Sequence, residues 1–195
     1  QGELGWSSRH QAPVRALIAQ RLPNTLALMG PAFFIALCGA LVLGGLAATR
    51  PRSGWDRLAR TVCTLGLALP AHWLGLLVLG GFAVGLGWLP SGGVQSLEDP
   101  GWGSRALHLV LPVSVLCLYY VARWTRFLQS ALRSELSAGY LDTARAMGLS
   151  YRRAVLTQAL PNALFPLLTV VAQSMPVLFS GALVVERVVA DPGMG

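Results

Sequence analysis

Long uncharged apolar stretches alternate with short arginine-bearing segments along this chain. The first apolar stretch has no formal charge from residue 22 to residue 49, and residues 26–48 would form a helix about 35 Å long. Because the hydrocarbon core of a bilayer is about 30 Å thick, such a helix can cross a membrane. We therefore predict a first membrane span at 24–48, preceded by an external or interfacial segment at 1–23.

Three further spans are predicted from the same pattern. The uncharged run 61–97 is too long for one helix and contains the turn residues 90–93, so we place a span at 62–86 and a loop after it. The last two spans are expected at 106–128 and 162–185. The chain as a whole is predicted to be all-α, a multi-pass transmembrane helical bundle with about four spans in a single domain, 1–195.

Composition and charge agree with a membrane setting. The chain is 54% hydrophobic and 12% charged, and its mean hydropathy is +0.57, outside the usual range of a soluble domain. All 15 basic residues are arginines. They concentrate in the loop after the first span and between residues 123 and 153, two regions that the positive-inside rule places in the cytoplasm. Since this bias explains most of the net charge of +7, no nucleic-acid partner is expected.

A polar, arginine-bearing insert at residues 139–161 separates the last two spans; its sequence is GYLDTARAMGLSYRRAVLTQALP. Tyr140, Leu141, Ala144 and Met147 recur at helical spacing. Gly148 can take the left-handed conformation that ends a helix, and Ser150 stands where an N-cap residue would start the next one. The insert is therefore predicted to form two helices that meet at a glycine elbow, a shape suited to docking into another protein.

The sequence shows no motif that is typical of a catalytic or cofactor-binding site. The chain has no P-loop pattern, and Cys38, Cys63 and Cys117 form no CxxC pair and have no histidine at ligand spacing. We expect buried free thiols, no metal site, no catalytic residue and no cofactor bound by this chain. The chain is thus predicted not to be an enzyme.

Three polar residues lie at membrane depth in the fourth predicted span. Thr169, Gln173 and Ser174 are candidates for lining a transport path, because this span also contains Pro166 and Pro176, which bend helices. Hydrogen bonding between helices is the alternative explanation for each of the three.

The insert resembles the cytoplasmic EAA loop of permease subunits of ATP-binding cassette importers, specifically the first permease of peptide and nickel systems. The residues that carry this resemblance are Asp142, Thr143, Ala144, Gly148, Leu160 and Pro161. Other similar stretches are GELGWS at 2–7, RLPNTLAL at 21–28, LPAHWLGLL at 69–77, LGWLPSGG at 86–93 and VVERVVADPGMG at 184–195. Two positions depart from the pattern: Gln158 replaces an aliphatic residue, and Met147 replaces a lysine.

The resemblance implies a type I importer permease fold and a function in transport. Such a subunit forms the transmembrane path for di- or oligopeptides, or for a related small solute such as nickel, in the bacterial inner membrane. Its implied partners are cytoplasmic ATP-binding subunits that hydrolyse ATP, a second permease subunit, an external or periplasmic solute-binding protein and membrane lipid. Because such permeases usually have six spans, the resemblance also implies that this chain is a fragment.

The resemblance also implies two sets of contact residues. Coupling to the ATPase would involve eleven residues of the insert, namely Tyr140, Leu141, Asp142, Thr143, Ala144, Arg145, Gly148, Leu149, Ser150, Arg152 and Arg153. For Asp142 and Arg145, which are three residues apart, the alternative is stabilisation of the local helix alone. Glu186 and Asp191 are candidates for docking of the solute-binding protein, with ordinary solvated surface as the alternative.

Two other functions remain open from the sequence. An inactive relic of a truncated permease gene would keep the same motifs. A channel or transporter that works without ATP would have apolar spans too, although ion-coupled transporters usually place ionisable residues inside their spans.

Overall fold

The computed structural model describes residues 5–7, 11–90 and 101–189. The chain divides into two compact units. Unit 1 contains Gln1–Ala32, Ala71–Leu116 and Leu178–Gly195, and unit 2 contains Phe33–Pro70 and Cys117–Val177. The insert lies in unit 2.

Helices dominate the described residues. They are α1 Val14–Thr49, α2 Gly54–Ala68, α3 Ala71–Val78, α4 Trp102–Leu136, α5 Gly139–Ala146, α6 Tyr151–Ala154 and α7 Leu160–Val189. Wider π-helical turns continue α3 over Leu79–Gly85 and join α6 to α7 over Val155–Ala159. Two short antiparallel strands, β1 Trp6–Ser7 and β2 Ala12–Pro13, pair Trp6 with Pro13 and Ser7 with Ala12. The predicted all-α fold class is confirmed.

Several helices are long and apolar enough to cross a membrane. Among the described residues, three stretches meet this requirement: Val14–Thr49, Ala106–Leu136 and Tyr151–Val177. A fourth is added if the broken pair Gly54–Ala68 and Trp73–Gly85 counts as one span. The described residues therefore include three or four candidate spans, as expected for a multi-pass membrane protein.

The predicted second span, 62–86, differs from the structure because it is not one continuous helix. α2 ends at Ala68, and Leu69 has extended backbone angles, φ −108° and ψ 138°. The ring of Pro70 clashes with a helical conformation of the residue before it, and proline has no N–H to continue the helical hydrogen bonds. The helix consequently breaks at Leu69 and Pro70, and α3 starts at Ala71.

Small residues let the helices of unit 2 pack closely. A Cβ atom on Gly66 of α2 would stand 2.6 Å from the Cβ of Ala122 and 2.8 Å from the carbonyl oxygen of Leu118, both in α4. Likewise, a Cβ on Gly44 of α1 would stand 3.1 Å from the carbonyl oxygen of Thr125. A side chain at Gly66 would clash with α4, and one at Gly44 would be tight enough to require a small shift of α4. Close contact between backbones is the usual role of small residues between membrane helices.

A buried carboxylate joins the same three helices. Asp56, in the first turn of α2, is only 4% exposed. Its Oδ1 accepts hydrogen bonds from Gln129 Nε2 at 2.8 Å and Arg133 Nη2 at 2.7 Å, both in α4. The same Arg133 nitrogen donates to the carbonyl oxygen of Ala47 in α1 at 3.2 Å. Asp56 Oδ2 accepts from Arg60 Nη2 at 3.3 Å. We call Asp56, Arg60, Gln129 and Arg133 the Asp56 junction.

The Asp56 junction holds an ionised carboxylate. Asp56 lies at the start of α2 among Arg52, Arg57 and Arg60, before the uncharged run that starts at Thr61, so it belongs to the polar end of this helix and not to its apolar part. The backbone N–H of Arg52, 3.0 Å from Asp56 Oδ2, lowers the pKa of this carboxyl below its ordinary value, and Arg133 lowers it further, while burial opposes both. A buried charge is tolerated when it is paired and hydrogen-bonded in this way.

The prediction of buried free thiols holds for one cysteine and is wrong for another. Cys63 is buried, and its Sγ donates to the carbonyl oxygen of Ala122 at 3.2 Å. Cys117 is partly buried, whereas Cys38 is exposed. Helical spacing alone does not tell which side of an apolar helix faces other helices, since all of its sides are apolar.

Candidate functional site

The first half of the insert is an amphipathic helix. Leu141 and Ala144 of α5 are buried, with exposures of 5% and 1%, and lie three residues apart on one face. Asp142 and Arg145 are exposed, and Asp142 Oδ1 lies 4.0 Å from Arg145 Nη1. One face of α5 thus anchors the helix, and the other is available for contact.

A left-handed glycine ends this helix. Gly148 has φ +94°, which confirms the conformation predicted for it. Its N–H donates to the carbonyl oxygen of Arg145 at 3.0 Å, and the N–H of Leu149 donates to that of Ala144 at 3.2 Å. A Cβ at Gly148 would meet no atom within 4 Å. The requirement for glycine therefore comes from the backbone, since L residues with side chains rarely adopt this angle.

The second half of the insert continues directly into α7. Ser150 has the extended backbone of an N-cap residue, as predicted, but its hydroxyl makes no capping hydrogen bond. The single turn of α6 is followed by π-helical turns, in which Val155 and Ala159 are buried. Across the elbow, the guanidinium carbon of Arg145 lies 5.9 Å from the ring centre of Tyr151, within the range of a cation–π contact.

Three side chains tie the insert to its neighbouring helices. Tyr140 donates its hydroxyl proton to Glu135 Oε2 of α4 at 2.6 Å. Asn162 Nδ2, in the first turn of α7, lies 3.5 Å from both Glu135 Oε2 and the Tyr140 oxygen. Burial raises the pKa of Tyr140, and the hydrogen bond to Glu135 raises it further, so its hydroxyl remains protonated and continues to donate. We call these three residues the Tyr140 anchor.

The predicted coupling residues separate into two groups. Those with exposed side chains or backbone are Tyr140, Asp142, Thr143, Arg145, Gly148, Ser150, Arg152 and Arg153. Leu149 is partly buried, while Leu141 and Ala144 are buried. These eight residues and the exposed Met147, Tyr151 and Leu156 form the outer face of the insert, and the buried residues can act only by holding that face in place.

Sequence reasoning missed several residues of this site. Met147, Tyr151 and Leu156 are 71%, 47% and 62% exposed. Large apolar side chains beside arginines are typical of the centres of protein interfaces. The sequence did give a signal for Met147, because this residue departs from the family pattern. It gave no signal for the contact between Glu135 and Asn162, which are 27 positions apart.

A cleft of about 310 Å³ adjoins the outer face. It is lined by Thr49 and Arg50 at the end of α1 and by Tyr151, Arg152, Val155 and Leu156 of the insert. A lining that combines two arginines with apolar groups suits an acidic or amphipathic side chain of another protein.

The candidates for a transport path occupy different environments. Ser174 is 1% exposed. Its hydroxyl donates to the carbonyl oxygen of Val170 at 2.6 Å and accepts from Trp124 Nε1 at 3.4 Å. Thr169 and Gln173 are exposed and lie four residues apart, hence on one face of α7. The structure therefore places Ser174 between helices and leaves only the other two on an open face.

The remaining predicted sites give less information. Glu186 falls within the last turns of α7, and Asp191 lies outside the described residues. Within the described ranges, no group of three or more histidine, cysteine or acidic side chains is arranged to hold a metal ion. The described part of the site is a contact surface built from helices.

Comparison with known protein families shows to which family the chain belongs. The profile of a family described as "Binding-protein-dependent transport system inner membrane component" matches residues 40–195. The chain belongs to this family. Membership confirms the resemblance noted from the insert, and the chain is a multi-pass protein of the inner membrane.

Curated members of the family match over the whole chain. The oligopeptide transport system permease protein AppB of Bacillus subtilis is 38% identical over 197 residues, which cover 100% of this chain and 62% of AppB. The glutathione transport system permease protein GsiC of Escherichia coli O6:H1 is 36% identical, and OppB of Haemophilus influenzae, an oligopeptide transport system permease protein, is 33% identical. Each match covers 100% of this chain and 61% of the relative, so this family member spans about three fifths of their length.

A solved structure has the same fold. It is described as the crystal structure of an amino acid ABC transporter with histidines, and the alignment covers 92% of this chain and 75% of the other, with a TM-score of 0.72. The sequence identity is 17%. At this identity, the similarity shows the fold and says nothing about the substrate.

Proposed function

We propose that this chain is the membrane-spanning permease part of an ATP-driven importer and that its insert, residues 139–161, couples it to separate ATP-binding subunits. The chain itself provides no catalytic residue, because ATP is bound and hydrolysed at those partners. A second permease subunit completes the path through the membrane, and an external solute-binding protein delivers the substrate.

One observation carries this proposal: the insert has an inner face that is fixed and an outer face that is free. Leu141, Ala144 and Val155 are at most 7% exposed, whereas Met147 and Arg152 on the outer face are exposed. A fixed inner face lets the insert move as one body with the helices that carry it. An exposed outer face with apolar and basic groups is what a docking partner needs.

The same geometry suggests how movement is transmitted. α6 passes through π-helical turns into α7 without an intervening loop, and the Tyr140 anchor holds the start of the insert to α4. Closure of an ATPase dimer against the outer face would therefore shift the insert as a lever and tilt α4 and α7 with it. Such rigid-body movement is a common form of coupling between subunits.

Peptides are the substrate class that we propose. AppB and OppB are named for oligopeptide transport, and GsiC for transport of glutathione, which is itself a peptide. The relatives reported above do not favour nickel, which the sequence left open. Thr169 and Gln173 on the open face of α7 are proposed to face the path, and Glu186 and Asp191 to meet the solute-binding protein.

Two valine substitutions in the insert test this function. The full-length protein with Gly148→Val should reach the membrane but lose uptake of a labelled oligopeptide, because valine is strained at φ +94°. Gly139→Val is the matched control, since Gly139 has a negative φ and a Cβ there would also meet no atom within 4 Å. Gly148→Asn should keep more uptake than the valine variant, because asparagine tolerates the left-handed conformation.

The outcome is judged by uptake per molecule in the membrane. Unchanged uptake in Gly148→Val would contradict a role for the elbow in transport. Equal losses in the Gly148 and Gly139 variants would show that any bulky residue in the insert is harmful, independently of the elbow.

A further inference from the structure

A second groove of unit 2 lies away from the insert. Its volume is about 460 Å³, and its lining includes Leu67 of α2 and Arg123, Arg126, Phe127, Ser130 and Ser134 of α4. Arg123, Arg126, Ser130 and Ser134 follow one another at intervals of three or four, and Phe127 adjoins Arg126, so these residues form one stripe along that helix. We call this site the arginine groove.

The arginine groove has positive charge that the described residues do not balance. Among the ion pairs in the described part of the chain, none includes Arg123 or Arg126. Of the acidic residues in unit 2, Asp56 pairs with Arg60 and Arg133, Asp142 lies beside Arg145, and Glu135 accepts a hydrogen bond from Tyr140, so none of them forms an ion pair with Arg123 or Arg126. Both arginines thus line the groove without an ion-pair partner among the residues that the structure describes.

Position along α4 puts these charges at the edge of a membrane. Residues 106–122 contain no Asp, Glu, Lys or Arg, and Arg123 comes directly after them. An apolar helix that turns basic at this point leaves the hydrocarbon and enters the headgroup layer. Leu67 and Phe127 border the same groove, so it combines a cationic part with an apolar part.

We propose that the arginine groove binds the headgroup of an anionic phospholipid. The phosphate oxygens would accept hydrogen bonds from Arg123 and Arg126, since guanidinium groups suit phosphate geometry. The hydroxyls of Ser130 and Ser134, one helical turn apart, offer further donors. An acyl chain would lie along Leu67 and Phe127. Basic pockets between membrane helices are a recognised site for anionic lipids.

An anionic lipid fits better than a zwitterionic one for an electrostatic reason. Each phosphatidylcholine carries its own positive charge, so it would not neutralise two unpaired arginines, whereas phosphatidylglycerol brings a net negative charge. This site does not depend on the proposed peptide transport, because the groove shares no residue with the insert or with the cleft beside it.

The test compares two lipids on the full-length protein in its purified complex. Phosphatidylglycerol should raise the midpoint of thermal unfolding by about 3 °C or more above the value in phosphatidylcholine. The variant R123Q/R126Q should lose most of this difference. Arg57→Gln is the matched control, since Arg57 is an exposed arginine of α2 that is not part of the groove, and it should respond as the unaltered protein does.

A second variant covers the case in which R123Q/R126Q does not fold. R123K/R126K keeps both charges and loses the planar guanidinium fork, so it should retain a reduced response to phosphatidylglycerol. Native mass spectrometry of the same samples should find fewer bound phosphatidylglycerol molecules in R123K/R126K than in Arg57→Gln.

Four results would overturn the proposal. Equal stabilisation by the two lipids would show that the charge is not recognised, and an undiminished response in both groove variants would place the lipid elsewhere. An equal effect of inorganic phosphate would assign the groove to a free anion. Dissociation of the second permease subunit by R123Q/R126Q, with the lipid response unchanged, would assign it to the protein interface.

Discussion

The insert and the Asp56 junction are both rich in arginine, but they use it in opposite ways. In the junction, Arg133 donates to a carboxylate that is 4% exposed and to a carbonyl oxygen of α1. In the insert, Arg152 and Arg153 are exposed, and the described structure gives them no carboxylate partner. Arginine therefore holds helices together in one region and is left free for a partner in the other. Changes in the junction should affect stability, whereas changes in the insert should affect transport.

The largest effect on stability is expected from a substitution at Gly66, where α2 packs closely against α4. Gly66→Leu would force α2 away from α4, because even a Cβ would stand 2.8 Å from a backbone oxygen. Overpacking of this kind costs about 3 kcal/mol or more when backbones must move. The midpoint of thermal unfolding in detergent measures the loss. Gly45→Leu is the control, since a Cβ on Gly45 meets no atom within 4 Å, and equal loss in both variants would contradict the packing argument.

Removal of the buried charge of Asp56 should have the second largest effect on stability. Asp56→Asn keeps the shape of the side chain but weakens the hydrogen bonds from Arg133 and Gln129, with an expected loss of about 2 kcal/mol. Arg133 is 44% exposed, so water lessens the penalty of leaving it without its partner. Asp142→Asn, in which the altered carboxylate is 86% exposed, should unfold at nearly the same temperature as the unaltered protein.

The same carboxylate should make stability depend on acidity. Because the pKa of Asp56 is lower in the folded protein, its contribution is complete above the ordinary value of about 4 and is lost as the pH falls through the lowered one. Unfolding midpoints measured between about pH 7 and pH 3 should therefore fall more steeply for the unaltered protein than for Asp56→Asn. Parallel curves would show that Asp56 is not the group responsible.

Loss of one anchoring hydrogen bond should have a smaller effect. Tyr140→Phe removes the donor that reaches Glu135 at 2.6 Å, and a hydrogen bond of this kind contributes about 1 kcal/mol. Uptake should fall only in part, because the buried face of α5 still holds the insert. Glu135→Gln keeps an acceptor for the Tyr140 hydroxyl and should preserve uptake better. A complete loss of uptake in Tyr140→Phe would mean that this hydroxyl contacts the partner directly.

The smallest effect on stability is expected from a substitution on the outer face of the insert. Asp142→Ala breaks a contact to Arg145 at 4.0 Å, which in an exposed helix is worth about 0.3 kcal/mol. The unfolding midpoint should not change measurably. A clear loss of uptake at unchanged stability would show that Asp142 contacts the ATP-binding subunit, whereas a loss of stability would reduce it to a helix-stabilising residue.

Local features of the insert could be predicted from the sequence because they depend on neighbouring residues. Gly148 follows a helical repeat and is the residue type that tolerates a left-handed angle, so its φ of +94° was foreseeable. Ser150 was located correctly as an N-cap, but whether its hydroxyl would bond depended on side-chain orientation. The exposure of Met147 was missed because helical spacing was extended to it, although α5 ends at Ala146.

Contacts between distant segments could not be predicted in this way. Asp56 and Arg133 are 77 residues apart, and no periodic pattern indicates which arginine will meet a given carboxylate. The break at Leu69 and Pro70 had a local signal in the proline, but the long apolar run around it favoured one continuous span. Apolar runs report that a segment belongs in the membrane, and they say little about where a helix ends.

The central claim, that the outer face of the insert docks an ATP-binding subunit, is tested most directly by photo-crosslinking in native membranes. A benzophenone side chain would replace Met147, which is 71% exposed in the insert, or Phe165, which is 70% exposed in α7. The account predicts a covalent adduct with an ATP-binding subunit from position 147 and none from position 165. Equal adducts from both positions, or none from position 147 while the ATP-binding subunit is still recovered with the complex, would contradict it.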